Sequence, residues 1–168
     1  MVMQSHYLNT GKDPIRVRDV LRFRRVDSAT VKTWGSAFGS GLLKFEIHPG
    51  QDLTKSYNCT VPRDYKLVMV GGHMHEWGKT FVLSYATTPA DTMKEMYRVD
   101  NWVPEFRDLP PTMIMRSKPM DLPKGMVLKA DCTWHNDTKE MIMFPHEMCT
   151  TFGVLLGDKE PWGCEVEQ

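Results

Sequence analysis

The 168-residue sequence predicts an all-β domain folded as an antiparallel jelly-roll or Greek-key β-sandwich. Glycine and proline interrupt the chain often, and the apolar segments between them are short and rich in β-branched and aromatic residues. No segment of adequate length combines helical periodicity with convincing caps, so at most one or two helical turns are expected. No repeat or break in composition marks a second domain. Residues 1–168 are therefore predicted to form a single domain.

Nine segments have the composition of strands. The clearest alternation lies in residues 15–26, where Val17, Leu21 and Phe23 fall among arginines, the pattern of a strand with one buried and one exposed face. Proline is too frequent in residues 102–123 for a central strand throughout, so a long loop or crossover is expected there. The predicted strands are residues 1–8, 15–26, 41–48, 52–61, 67–75, 80–87, 93–99, 126–135 and 148–156.

Charge and hydropathy narrow the classes of partner. The chain has 21 basic and 21 acidic residues, and this formal net charge of +0 gives no broad field for nucleic acid or an anionic membrane surface. A small ligand is the favoured partner. No apolar run approaches the roughly 18 residues of a membrane span, and the first ten residues lack the pattern of a secretory signal. The sequence therefore has the character of a mature or excised domain.

The four cysteines, which are even in number, widely spaced and free of any CxxC pair, predict two disulfides. Three pairings of four cysteines are open at this point. Disulfides indicate an oxidising space such as the periplasm or the cell exterior, whereas four buried thiols in a cytosolic protein are the alternative. The cysteines are Cys59, Cys132, Cys149 and Cys164.

The segment LVMVGGHMHEWGK places His73 and His75 two residues apart after an apolar strand. On a strand both rings project from one face, which provides half of a transition-metal site. Taken alone, two hydrogen-bonded or solvent-facing histidines are the commoner explanation. In FPHEMCTTFGVLLGD, Met148 begins a predicted strand, although composition does not choose it over other donors or over core filling. A thioether with two imidazoles would favour copper, particularly Cu(I), over zinc or magnesium.

HMHEWGK and HEMCTTF resemble the two copper-site segments in the C-terminal catalytic domain of the type II copper, ascorbate-dependent monooxygenases. The resemblance implies that His73, His75 and Met148 bind the copper that activates O2 for C–H hydroxylation of a small organic substrate, with ascorbate as external reductant. It also implies a secreted or periplasmic protein. The disulfide pairs that it implies are Cys59 with Cys164 and Cys132 with Cys149.

The N-terminal MQSHYLN resembles the family segment whose histidine, here His6, helps to bind a second copper. The other ligands of that copper belong to a preceding N-terminal domain, and this chain has no His-His pair to replace them. Gly71 and Phe152 stand where the peptide-amidating members have an arginine and a tyrosine, which indicates a less polar or differently anchored substrate. The alternative prediction is a non-catalytic extracellular or periplasmic domain that binds or handles copper.

Overall fold

The computed structural model describes residues 7, 9, 11–157 and 160–165, which fall into two compact units, Met1–Lys32 and Thr33–Gln168. The described part of the first unit contains one short 3-10 turn, Ser28–Thr30. The strand predicted for residues 15–26 is wrong, because this segment pairs with no strand in the described part of the chain and its apolar side chains are exposed. Of the strand predicted for residues 1–8, only Tyr7 lies within the described residues.

The described residues of the second unit form twelve strands and one 3-10 turn, Pro104–Arg107. None of the described helical segments is long and apolar enough to cross a membrane. In chain order the strands are β1 (Gly35–Leu42), β2 (Glu46–Ile47), β3 (Asp52–Thr60), β4 (Tyr65–His73), β5 (Gly78–Ala86), β6 (Lys94–Val99), β7 (Thr112–Ile114), β8 (Met120–Leu122), β9 (Val127–His135), β10 (Ile142–Met143), β11 (Cys149–Leu156) and β12 (Trp162–Glu165).

The strands form two main sheets. One has the order β12-β1-β11-β4-β7, with β8 also paired to β4, and the other has the order β3-β9-β5-β6. Strands β2 and β10 pair separately. All pairs are antiparallel except β1 with β12. The predicted all-β class is confirmed, and neighbours as distant in sequence as β1 and β11 are reached by crossovers of the kind found in jelly-roll and Greek-key sandwiches.

Two disulfides join the two sheets. Cys59 on β3 bonds Cys164 on β12, and Cys132 on β9 bonds Cys149 on β11, which is the pairing implied by the resemblance. Each of these bonds stabilises the fold mainly by restricting the unfolded chain, typically by about 2–4 kcal/mol. A polar link also connects β3 to β11, where the Tyr57 hydroxyl lies 2.8 Å from Thr151 Oγ1. The pair of disulfides suits an oxidising compartment.

The segment predicted as a loop at residues 102–123 contains the two short strands β7 and β8. Pro110 and Pro111 precede β7, and Pro119 and Pro123 flank β8, so the prolines lie between the ladders rather than within them. Both strands pair with β4, the strand that ends at His73. The prediction was therefore wrong only for these three-residue strands, which are too short to leave a clear pattern.

Candidate metal centre

The pairing of β4 with β11 indicates which face of the sheet carries the predicted ligands. His73 is the last residue of β4 and pairs with Thr150 of β11, and both side chains are half-buried. The residues next to them toward Met148 and His75 are buried on the opposite, core-facing side. If the same antiparallel register is continued past the ladder, Met148 falls opposite His75. Because cross-strand partners share a face, this continued register would put His75 and Met148 on the outer face together with His73.

Two glycines allow the sheet to pack tightly just before His73. A Cβ atom on Gly71 would lie 2.6 Å from Cζ of Phe152, and a Cβ on Gly72 would lie 2.3 Å from Cδ1 of Phe81. No side chain fits at either position without displacing an aromatic ring. The Phe152 ring therefore covers bare backbone on the same face as His73, two residues away along β4.

His75 is held at its backbone and at its ring. Its N–H donates to Glu147 Oε1 at 2.6 Å, and its carbonyl accepts from Trp102 Nε1 at 2.9 Å. Its ring Nδ1 lies 2.9 Å from the carbonyl oxygen of His146. Because a carbonyl only accepts, Nδ1 carries the proton and Nε2 keeps the lone pair that a metal requires. The strand predicted for residues 67–75 ends at His73, so these bonds, rather than a ladder, orient His75.

Glu147 joins the two segments that carry the predicted ligands. Its side chain is 0% exposed, and its Oε1 accepts from the backbone N–H groups of both His75, at 2.6 Å, and Met148, at 2.9 Å. Oε2 accepts a longer bond of 3.3 Å from the N–H of Trp77. Burial raises the pKa of this carboxyl group, although the backbone hydrogen bonds oppose the shift. Sequence reasoning did not identify Glu147.

The ionisation of His73 is set by burial and by its charged neighbours. Its ring centroid lies 5.2 Å from that of His75, and the two ring planes are 88° apart. Burial, with a further contribution from charge on His75, lowers the pKa of His73, while the negative charge of Asp108 acts in the opposite direction. Asp108 is exposed and paired with Arg107, which also bonds Glu76. A lowered pKa keeps the imidazole neutral at pH 7, the form that binds metals.

The donor set decides which metal could bind here. Within the part of the chain that the structure describes, no three side chains from His, Cys, Asp and Glu converge. The described His, Cys, Asp and Glu side chains therefore supply no third donor beside His73 and His75, and Met148, which falls opposite His75 in the continued register, is the predicted third ligand. Two imidazoles and a thioether suit copper, particularly Cu(I), so the residues fit the predicted metal. His6, the predicted ligand of a second copper, lies outside the described residues.

Neither a scan against protein-family models nor a search of curated proteins found a match for this chain.

Proposed function

We propose that His73, His75 and Met148 bind one copper ion and that the domain uses it for O2-dependent hydroxylation. The observation that carries this proposal is the buried Glu147 carboxylate, whose Oε1 accepts hydrogen bonds from the backbones of both His75 and Met148. Copper bound there would supply the activation of O2 for insertion of oxygen into a C–H bond. The resemblance of the two segments to the type II copper, ascorbate-dependent monooxygenases supports the same function.

The protein residues have separate tasks in this proposal. His75 presents Nε2 because its Nδ1–H is engaged by the His146 carbonyl, and this bond also fixes the plane of the ring. His73 stays neutral because burial lowers its pKa. Met148 supplies a soft donor that favours the reduced metal. Three protein donors leave room at the metal for an external ligand.

Gly71 and Phe152, which lie on the same face as His73, support a less polar organic substrate. Phe152 covers the backbone of Gly71, and neither residue offers a charge or a hydroxyl group to a substrate. A carboxylate-bearing substrate would therefore lose its water at this surface without gaining a charged partner from these two positions. Ascorbate is the proposed external reductant, and an N-terminal domain that shares a second copper with His6 would be the proposed route for the electron. The disulfides support a secreted or periplasmic location.

Replacement of Met148 by isoleucine tests the copper centre directly. Met148→Ile should weaken Cu(I) binding at least as much as loss of a residue that only supports a ligand, which costs about 10–100-fold in metal affinity. It should also remove the sulfur scatterer from the X-ray absorption spectrum of the reduced protein. Met69→Ile is the matched control, because Met69 is half-buried on β4 and pairs with Val154 of the same sheet. Unchanged affinity and an unchanged sulfur signal in Met148→Ile would exclude Met148 as a ligand.

A non-catalytic copper-handling domain is the second candidate, and one observation favours it. The sequence has no His-His pair that could complete a second copper site. The two functions are separated by O2 consumption of the copper-loaded chain with ascorbate and a panel of neutral phenethyl and aliphatic compounds, with and without an added N-terminal domain. Hydroxylated product in either arm supports the monooxygenase, whereas tight copper binding with no product in both arms supports copper handling.

A further inference from the structure

A cavity lies beside the segment that carries Met148. It has a volume of about 200 Å³. The residues that line it include Met141, His146, Glu140 and Trp77, whose side chains carry a thioether, an imidazole, a carboxylate and an indole. Thr138 and Ile142 complete the lining. Neither Met141 nor His146 packs in the hydrophobic core, because both residues are exposed.

The backbone that carries Met141 is anchored by a buried amide. Asn136 is 0% exposed, and its Nδ2 donates to the carbonyls of Ile47 and Glu140, each at 2.8 Å. Its Oδ1 accepts from the N–H of Thr138 at 2.9 Å and from the hydroxyl of Thr138 at 2.7 Å. The loop that leads into Met141 is therefore fixed to the sandwich.

The other two side chains also project from fixed backbone. The His146 N–H donates to the Met143 carbonyl at 2.8 Å, and the His146 carbonyl accepts from His75 Nδ1 at 2.9 Å. The Trp77 carbonyl accepts from the N–H of His135 at 3.0 Å. A metal bound at this cavity would thus find its donors on backbone that is already ordered, which reduces the entropy cost of binding.

The side chains of Met141, His146 and Trp77 favour a soft, singly charged metal ion. A thioether and an imidazole are donors that Cu(I) accepts readily, whereas magnesium and calcium prefer oxygen. The face of an indole attracts a cation, and it does so best at a site that is partly withdrawn from water. Within the described residues no three His, Cys, Asp and Glu side chains meet here, which leaves zinc without its usual ligand set.

We propose that Met141, His146 and the face of Trp77 form a second site for monovalent copper, with Glu140 available to balance its charge. This site is separate from the centre at His73, His75 and Met148 and does not depend on the proposed oxygen chemistry. It is coupled to that centre through His146, which lines the cavity and whose backbone carbonyl accepts the hydrogen bond from His75 Nδ1. It would give the chain a position where Cu(I) is held next to the centre.

The experiment counts ions per chain with Ag(I), a redox-inert probe for Cu(I), by native mass spectrometry and by calorimetry with a competing ligand. The wild-type chain should bind two Ag(I) ions. The double variant Met141→Leu/His146→Gln should bind one, because the backbone carbonyl that orients His75 is retained. Met143→Leu is the matched control, since Met143 is an exposed methionine that lines a different groove, and it should still bind two.

Two further measurements distinguish an error about this second site from an error about the copper centre at His73, His75 and Met148. Met148→Ile should keep the ion at Met141 and His146, and Ag(I) should shift the imidazole ¹⁵N signals of His146 while those of His135 stay unchanged. If the double variant loses an Ag(I) ion that Met148→Ile retains, the second site is supported, even where the chain binds no ion at His73, His75 and Met148. Two ions retained in the double variant, or an equal loss in Met143→Leu, would overturn the proposal.

Discussion

Two carboxylates influence the histidine pair, and they do so in different ways. Glu147 is buried, carries no cationic partner among the described hydrogen bonds and ion pairs, and accepts three backbone N–H groups. Asp108 is exposed and is paired with the guanidinium of Arg107, which lowers the pKa of Asp108. The first carboxylate holds the backbones of His75 and Met148 together, whereas the second changes only the electrostatic field at His73.

The difference follows from the dielectric environment of the two groups. A hydrogen bond made away from water is strong, and the donor it satisfies is costly to leave unpaired. An exposed ion pair is screened by solvent and contributes little to stability. Substitution of Glu147 should therefore change structure and metal binding together, while substitution at Asp108 should change only protonation.

Glu147→Ala should produce the largest effect. It leaves the N–H groups of His75, Met148 and Trp77 without an acceptor, each worth about 1–3 kcal/mol when buried, and relief of the buried charge offsets part of this loss. We expect the free energy of unfolding of the metal-free chain to fall by about 2–4 kcal/mol. Urea denaturation at pH 7 measures the change.

Glu147→Gln refines this test. The amide oxygen can replace Oε1 as the acceptor for His75 and Met148, but its NH2 group would then face the N–H of Trp77. The glutamine variant should therefore be more stable than the alanine variant and keep more of its copper affinity. Equal losses in the two variants would show that the shared Oε1 acceptor does not hold the two segments together.

The raised pKa of Glu147 predicts a pH dependence of intermediate size. The folded chain holds the proton more tightly than the unfolded chain, whose carboxyl titrates near the ordinary value of 4.5. The stability that this group contributes is complete below that pH and is lost as the pH rises through the folded pKa. Unfolding free energies of wild type and Glu147→Gln, measured from pH 4 upwards, should diverge by at most about 1.4 kcal/mol per pH unit. Parallel curves would contradict the shift.

The sequence predicted much of the sandwich because strand composition and turn residues are local signals. It failed at residues 15–26, where alternation was clear, since a strand also requires a hydrogen-bonded partner that alternation does not supply. The pairing of strands across the sheets, such as β1 with β11, likewise depends on contacts distant in sequence.

Glu147 could have been found from the sequence by extending the phase of β11. Alternate residues from Cys149 to Leu155 are buried, so the same phase places residue 147 on the inward side. A buried carboxylate must accept hydrogen bonds from nearby donors, so its position in the strand pattern indicates a structural or functional role. His73, His75 and Met148 were predicted from motif and donor chemistry, but the hydrogen bonds of His75 to Trp102 and His146 could not be, because they join segments 27 and 71 residues apart.

The smallest expected effect is a shift in the pKa of His73 when Asp108 or Arg107, which form an exposed ion pair, is replaced. Because the charge of Asp108 raises the pKa of His73 while Arg107 lowers it, Asp108→Asn should lower that pKa further and Arg107→Gln should raise it. The urea midpoint should be unchanged in both variants, since both side chains are exposed. A titration of the His73 ring by NMR in the metal-free chain measures the shifts. Shifts of the same sign would mean that Arg107 and Asp108 reach His73 through a change of structure rather than through their charges, and the contrast with Glu147 would then be lost.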